Sequence, residues 1–433
     1  MFKSGNGHLP IACGIKTIRR VIHHQPSALL FYQNRQLELY AAKEAKRLTL
    51  RQLVYFGRHM NEERLITSAN YVRTELPIRI AHRLRDLQAL PYVVVTQEGV
   101  AKVYELYWSA FEKLRNYPPV TSLEENDQFC KFVGTLLNEH APVIPNLSLG
   151  LSLASPHLPP DELDSFMRRM LISRISRRVL AEHHIALSDT FSGRGRETNG
   201  EPHVGIIFTG LNVKRSVERC ARLLKESPLW SMSSSGPRDS SQLPEVKIDG
   251  HSSTTFAYIR EHLEYIVFEL LKNSMLATYS KHQNESSIPP IHVTIAAGEH
   301  DVGIRISDQG GGLAFRDQLS KASDLFSFSH VRNSTRLEDS RIGALRTASE
   351  NGLRATVDEQ VGNWHKAHAK DPTASDTISH ELLQPRIGIG LPMSNIYATY
   401  FGGTLDLVSL DGWGTDVYLR LPKLGTNLEG IEV

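Results

Sequence analysis

Between Glu261 and Ser280 the apolar residues Leu263, Ile266, Val267, Leu270 and Leu271 recur at three- and four-residue steps and fill one broad arc of a helical wheel. Glu269 and Asn273 lie one turn apart on the other side, with Tyr265 and Lys272 beside them. A helix that packs its apolar arc on a sheet holds such a polar face up as the floor of a site. Taken alone, the spacing also fits the solvated face of an ordinary amphipathic helix.

Upstream, from Ala41 onward, apolar positions follow helical spacing in segments such as SANYVRTELPIRIAHRLRDLQAL and GVAKVYELYWSAFEKLRN. Breaks fall at Leu90-Pro91, at Pro118-Pro119 and around Pro142 and Pro145, where proline removes a donor and ends helices. Long helices with short breaks predict a bundle. HVGIIFTGL at 203–211 reads as a short element capping that bundle, followed by another helix through Leu224. The Ser/Gly/Pro-rich stretch 231–245 buries little and marks an exposed loop near a domain join.

Downstream the period changes to two. Ile291, Val293 and Ile295, then Val302, Ile304 and Ile306, alternate with polar residues around the turn Gly298-Glu299-His300, which predicts a hairpin. The second strand runs into Asp308 and Gly310, Gly311 and Gly312, where backbone without side chains approaches a flat ligand or merely turns tightly. Residues 313–387 carry no comparable pattern, as expected of a functional lid or a disordered insert. They end in GIGLP, Gly388 to Pro392, opening a helix with Met393, Ile396, Tyr397 and Tyr400 on one side. Free backbone N–H groups at such a helix start suit phosphate. TLDLVSL, the turn Asp411-Gly412 and GTDVYLRLP make a second hairpin.

The 433 residues suffice for two domains with full cores. A net charge of only +2, from 49 basic against 47 acidic residues, argues against nucleic acid as partner. Cys13, Cys130 and Cys220 have no metal or disulfide spacing, and the compartment is read as reducing. No run approaches the roughly 18 apolar residues of a spanning helix, so no membrane insertion is expected. Residues 1–37 lack Asp and Glu but carry Lys3, Lys16, Arg19, Arg20 and Arg35, the composition of a mitochondrial presequence or of a basic arm.

The order of these features resembles the Bergerat nucleotide-binding fold: a helix with E-x-x-x-N, a strand with D-x-G-x-G, a lid, G-x-G before a helix, then a strand carrying Gly-Thr. Within that group ELLKNSMLAT, ISDQGGGL, GIGLPMSNIYATYFGGTL and GTDVYLRL look like the mitochondrial protein kinases of the 2-oxo acid dehydrogenase complexes. In the helical half LTLRQLVYFGR, ELPIRIAHRLRDLQALPY, ELYWSAFEKL and SRISRRVLAEHHIAL are similar to that family's bundle, so the resemblance runs from about Leu48 to Leu421. His82, ELYWSAF, Tyr265 and GTDVYLRL look more like the branched-chain member; the pyruvate kinases typically have histidine where Tyr265 stands. The implied fold is a helical (four-helix) bundle at 41–230 and, after the 231–245 loop, a Bergerat α/β sandwich with a mixed sheet at 246–425. The presequence then covers 1–40 and the lid about 313–387.

The resemblance also implies roles. Glu269 is the expected general base toward a substrate serine, and Asn273 the Mg²⁺ ligand. Asp308 accepts from the adenine amino group with Thr415 nearby. Leu276, Gly310 and Gly312 line the nucleotide, and amides at Gly388, Gly390 and Leu391 cradle the phosphates. Lys272 is either a phosphate neighbour or a solvated lysine. Leu325, Ser327 and His330 stand at the family's potassium site. The expected partners are the E1α subunit as substrate, the lipoyl domain of the E2 core, and a second kinase subunit, identical or not. The expected location is the mitochondrial matrix.

Three departures stand out: Gln309 where arginine is usual, Arg386 in place of the first glycine of the phosphate loop, and a long lid without the usual threonine-rich stretch after Phe326. The change at Gln309 is tolerable, but Arg386 and the altered lid leave a competing function open, a catalytically weak nucleotide-binding scaffold paired with an active kinase. A third reading takes His183-His184 as phospho-acceptors rather than packed helix residues.

Overall fold

The computed structural model describes residues 34–154, 157–195, 200–227, 230, 243–285, 287–313, 322–328, 357, 360–361, 388–424 and 427–431. The helices are α1 (Arg35–Ala41), α2 (Leu50–Gly57), α3 (Glu62–Gln88), α4 (Tyr92–Val95), α5 (Glu98–Arg115), α6 (Leu123–Glu139), α7 (Val143–Ala154) and α8 (Pro160–Phe191). The long helices α3, α5, α6 and α8 form the bundle, with α3 packed on α5, α6 and α8. Start signals are local. The Asn61 side chain accepts from Arg64 N at 2.8 Å, Ser122 accepts from Glu125 N at 3.2 Å, and α8 opens on a proline. Pro91 and Pro118-Pro119 fall between helices as expected, whereas Pro145 sits in the first turn of α7, where its missing N–H leaves no gap. The expected leader boundary at residue 40 falls within α1, whose Leu37 and Ala41 are buried; Tyr40 meets Phe111 edge-on at 5.3 Å.

The second half contains β1 (His203–Val204), β2 (Ile207–Asn212), α9 (Val213–Lys225), β3 (Val246–Gly250), β4 (Thr255–Ile259) and α10 (Arg260–His282). It continues with β5 (Ile291–Ala297), β6 (Asp301–Ser307), a 3₁₀ turn (Ala322–Phe326), α11 (Gly390–Thr399), β7 (Thr404–Leu410) and β8 (Gly414–Pro422). Five strands form a mixed sheet in the order β3-β5-β6-β8-β7, in which only β3 and β5 are parallel. Both expected hairpins are present, with Ile295 opposite Ile304 and Leu407 opposite Val417. The expected cap at 203–211 is instead β1 and β2 of a separate three-stranded sheet, where β2 pairs with β4. The following helix α9 packs on α10. In that three-stranded sheet β2 is the central strand, its two edges paired by β1 and β4, so its backbone groups are satisfied on both sides.

Among the described residues His183, His184 and His262 are buried in this framework and His140 is half-buried. Burial lowers His140 and His262 to about 3 and His183 and His184 to about 4, against an ordinary value of 6.5. Below pH 6.5 the unfolded chain takes up protons that the folded chain refuses, so stability falls as pH drops from 6.5 to about 4. Within that window each histidine costs roughly 1.4 kcal/mol per pH unit. Thermal unfolding followed at pH 7.5, 6 and 5 is expected to show a falling midpoint; an unchanged midpoint would contradict the burial of these rings in neutral form.

Candidate active site

Helix α10 follows β4 directly and is buried along nearly its whole circumference, from His262 to Thr278. The wheel reading expects an open polar face, but α11 and α9 cover much of it. Tyr265 and Glu269 are therefore buried, Glu269 with only 6 % exposure, whereas Asn273 one turn on is exposed. Burial first, and then the nearby Glu269 carboxylate, push the Tyr265 phenol well above its ordinary value. A buried carboxylate needs a partner. Lys272 supplies it, its Nζ lying 2.7 Å from each Glu269 oxygen. The carboxylate also presses on Gly390, the first residue of α11; any Cβ there would collide with Oε2.

At the other end of the helix stands Asp308, just past β6 and 5 % exposed. Its Oδ1 accepts from Gly310 N at 2.9 Å and Thr415 N at 3.2 Å, and its own N–H donates to Thr415 O at 2.9 Å. Ser274 on α10 adds a side-chain hydrogen bond. Burial raises the Asp308 pKa above the usual carboxylate value in spite of these donors. The glycines beside it are required by space and backbone. Gly310 lies against Ala277, Gly414 against the Asp308 carbonyl, and Gly312 adopts φ +84° against Leu410 O. Lys281 and His282 at the end of α10 support the loop from below. Lys281 Nζ donates to Gly412 O at 2.7 Å, and His282 Nε2 lies 3.0 Å from Gln309 O.

Thus Glu269 meets Gly390, Ser274 meets Asp308, and Ala277 meets Gly310, so one helix touches both glycine corners over about 12 Å. Leu276 is half-buried on the same helix. Gly388 adopts φ +78° ahead of α11, and at the helix start Gly390 and Leu391 present N–H groups while Pro392 has none. That corner has the amides and helix-dipole sign for an anion. The exposed Asn273 offers a hard amide oxygen on the Glu269 side of α10, which fits magnesium held chiefly by phosphates and water. Among the described residues, no three His, Cys, Asp or Glu side chains gather as a metal cage of their own.

Leu325 lies in the 3₁₀ turn, and the Ser327 hydroxyl after it donates to Asp164 on α8; His330 and Arg386 lie outside the described residues, as does most of the 313–387 lid. Sequence reasoning missed Ser274, Lys281 and His282, for which only their place on α10 was a signal. His184 is buried between Ser68 Oγ and Asn126 Oδ1, each 3.0 Å away, and Gly205 packs on the buried His183 ring. Neither ring is placed to accept a phosphoryl group.

Comparison with known proteins places the chain in a family. A family model described as mitochondrial branched-chain alpha-ketoacid dehydrogenase kinase matches residues 47–208. The mitochondrial [pyruvate dehydrogenase (acetyl-transferring)] kinase of Arabidopsis thaliana is 31 % identical over 392 residues, covering 88 % of this chain and 92 % of the relative. Kinase 2 of that name from Saccharomyces cerevisiae is 28 % identical, with 91 % and 85 % covered. Human isozyme 4 is 28 % identical, with 92 % and 86 % covered. With 31 % identity over 88 % of this chain and 92 % of the relative, the chain belongs to the mitochondrial 2-oxo acid dehydrogenase kinase family and is a protein kinase.

Proposed function

We propose that this mitochondrial, ATP-using kinase transfers the γ-phosphoryl group to a serine of the E1α subunit of a 2-oxo acid dehydrogenase complex, the branched-chain complex before the pyruvate one, and so inactivates it. The observation that carries the reading is the buried Glu269 carboxylate pressed against Gly390, at the helix start that would receive the phosphates. The serine Oγ would bond to the γ-phosphorus as its proton passes to Glu269, and the bond to the bridging oxygen breaks to leave ADP. The amides of Gly388, Gly390 and Leu391 would hold the phosphates, with Asp308 and Thr415 at adenine. Asn273 would hold Mg²⁺, which supplies charge neutralisation on the transferring phosphates. Lys272, which neutralises Glu269 here, would turn to the phosphates when nucleotide binds and leave the carboxylate free to take a proton.

The 41–230 half is proposed to dock on lipoyl domains of the E2 core, and the acid-free leader to direct the chain to the matrix. A homodimer or heterodimer is the proposed assembly, with potassium near Leu325 and Ser327. The retained Glu269 and Asp308 geometry favours catalysis over the scaffold reading.

Incubation with labelled ATP, Mg²⁺ and both purified E1 components tests this. The expected result is acid-stable phosphoserine on E1α, faster on the branched-chain protein. Label on the pyruvate protein alone would reverse the substrate order, and nucleotide binding without any transfer would favour the scaffold.

A further inference from the structure

Past β8, residues 427–431 return to the helical half. Glu429 N donates to Leu48 O at 2.9 Å, Leu428 bridges Thr49, and Gly430 N donates to Tyr400 O at 2.8 Å. This strap thus joins the entry to α2 on one side and the residue just after α11 on the other. At its centre the Glu429 carboxylate is 2 % exposed and fully engaged. It accepts from Leu48 N at 2.9 Å and from Arg79 of α3 at 2.9 and 3.2 Å, and the Tyr400 hydroxyl donates to its Oε2. Arg79, also 2 % exposed, further contacts Glu75 at 3.1 Å, the Lys46 carbonyl at 2.6 Å and the Ser176 hydroxyl on α8.

Tying down a strap needs no charge, because its backbone bonds already do so. What the carboxylate adds is a fixed link between Arg79 in the bundle and Tyr400 at the end of α11. That helix has 10 residues, about 15 Å, and its other end is Gly390 against Glu269. A rod this short turns as a body, so its tyrosine end sets where its first amides stand relative to the carboxylate. We infer that Glu429 is a positioning residue for phosphoryl transfer: by joining Tyr400 to Arg79 it sets the phosphate-binding start of α11 against Glu269. The inference rests on the proposed nucleotide site and adds a route from the docking half to it.

The test uses the full chain with Tyr400→Phe, Glu429→Gln and the double variant. It measures Mg-ATP binding by calorimetry, KM and kcat for transfer, and the unfolding midpoint. Tyr400→Phe keeps every backbone bond of the strap and the Arg79 pair, so it carries the test even where Glu429→Gln fails to fold. Each single change is expected to weaken ATP binding and raise its KM by roughly three- to tenfold. The double variant is expected to bind no worse than the weaker single, because both act through one link. A lowered midpoint with ATP affinity and KM unmoved would show a merely structural link and overturn the inference. Absence of ATP binding by the unaltered chain would overturn the nucleotide site together with it.

Discussion

Glu269→Gln is expected to lower phosphoryl transfer by roughly 10²- to 10⁴-fold while ATP binding stays near its original value. Glutamine has the shape of glutamate and keeps an acceptor for Lys272, but it cannot take the serine proton. Because Glu269 is buried at 6 % exposure against Gly390, the change puts a neutral amide where an ion pair stood and leaves packing intact. Single-turnover transfer and nucleotide titration on the same preparation separate chemistry from binding. Undiminished transfer would remove Glu269 from the mechanism.

Asp308→Asn acts at the other corner, and its expected signature is the reverse: ATP binding falls about ten- to a hundredfold, and transfer at saturating ATP is largely kept. A hydrogen bond to a charged acceptor is worth roughly 1.5–3 kcal/mol, and the neutral amide loses that advantage toward the adenine amino group. The fold should survive, because burial already disfavours the Asp308 charge. The sign of that shift has a second consequence. A carboxyl whose folded pKa is raised binds its proton earlier than the unfolded chain does, so acidification does not destabilise the fold through this group. It should weaken ATP binding as pH falls through the raised value. Calorimetry at descending pH is expected to show that loss in the original chain and a flat response in the asparagine variant. Equal affinity of the two at neutral pH would take Asp308 out of the adenine contact.

Much of this architecture can be read from local periods. The three- and four-residue steps around Leu263 and Leu270, the alternation of Ile291 to Ile306, and the prolines between bundle helices act within a few neighbours, and each produced the expected element. Strands β3 and β4 were not legible. VKIDG ends on a glycine at φ +82°, TFAYI is short, and their partners lie far along the chain. The site divides the same way. Glu269, Asp308 and Gly390 stand in recognisable motifs, but the burial of Tyr265 and Glu269 arises only when α11 closes over α10. Single polar residues such as Ser274 and Glu429 leave no periodic trace; Arg79 and Glu429 meet across 350 positions of sequence.

The pairing of β2 with β4 limits how members of such a family could exchange parts. A recombination event at 231–245 would place β2 with one parent and β4 with the other, along with the two faces of α9 and α10. Chimeras joined there inherit a mismatched seam, whereas a crossover before His203 moves the small sheet whole. Such a crossover still divides the Arg79–Glu429–Tyr400 link between parents, so Arg79 and Glu429 have to be exchanged as a pair.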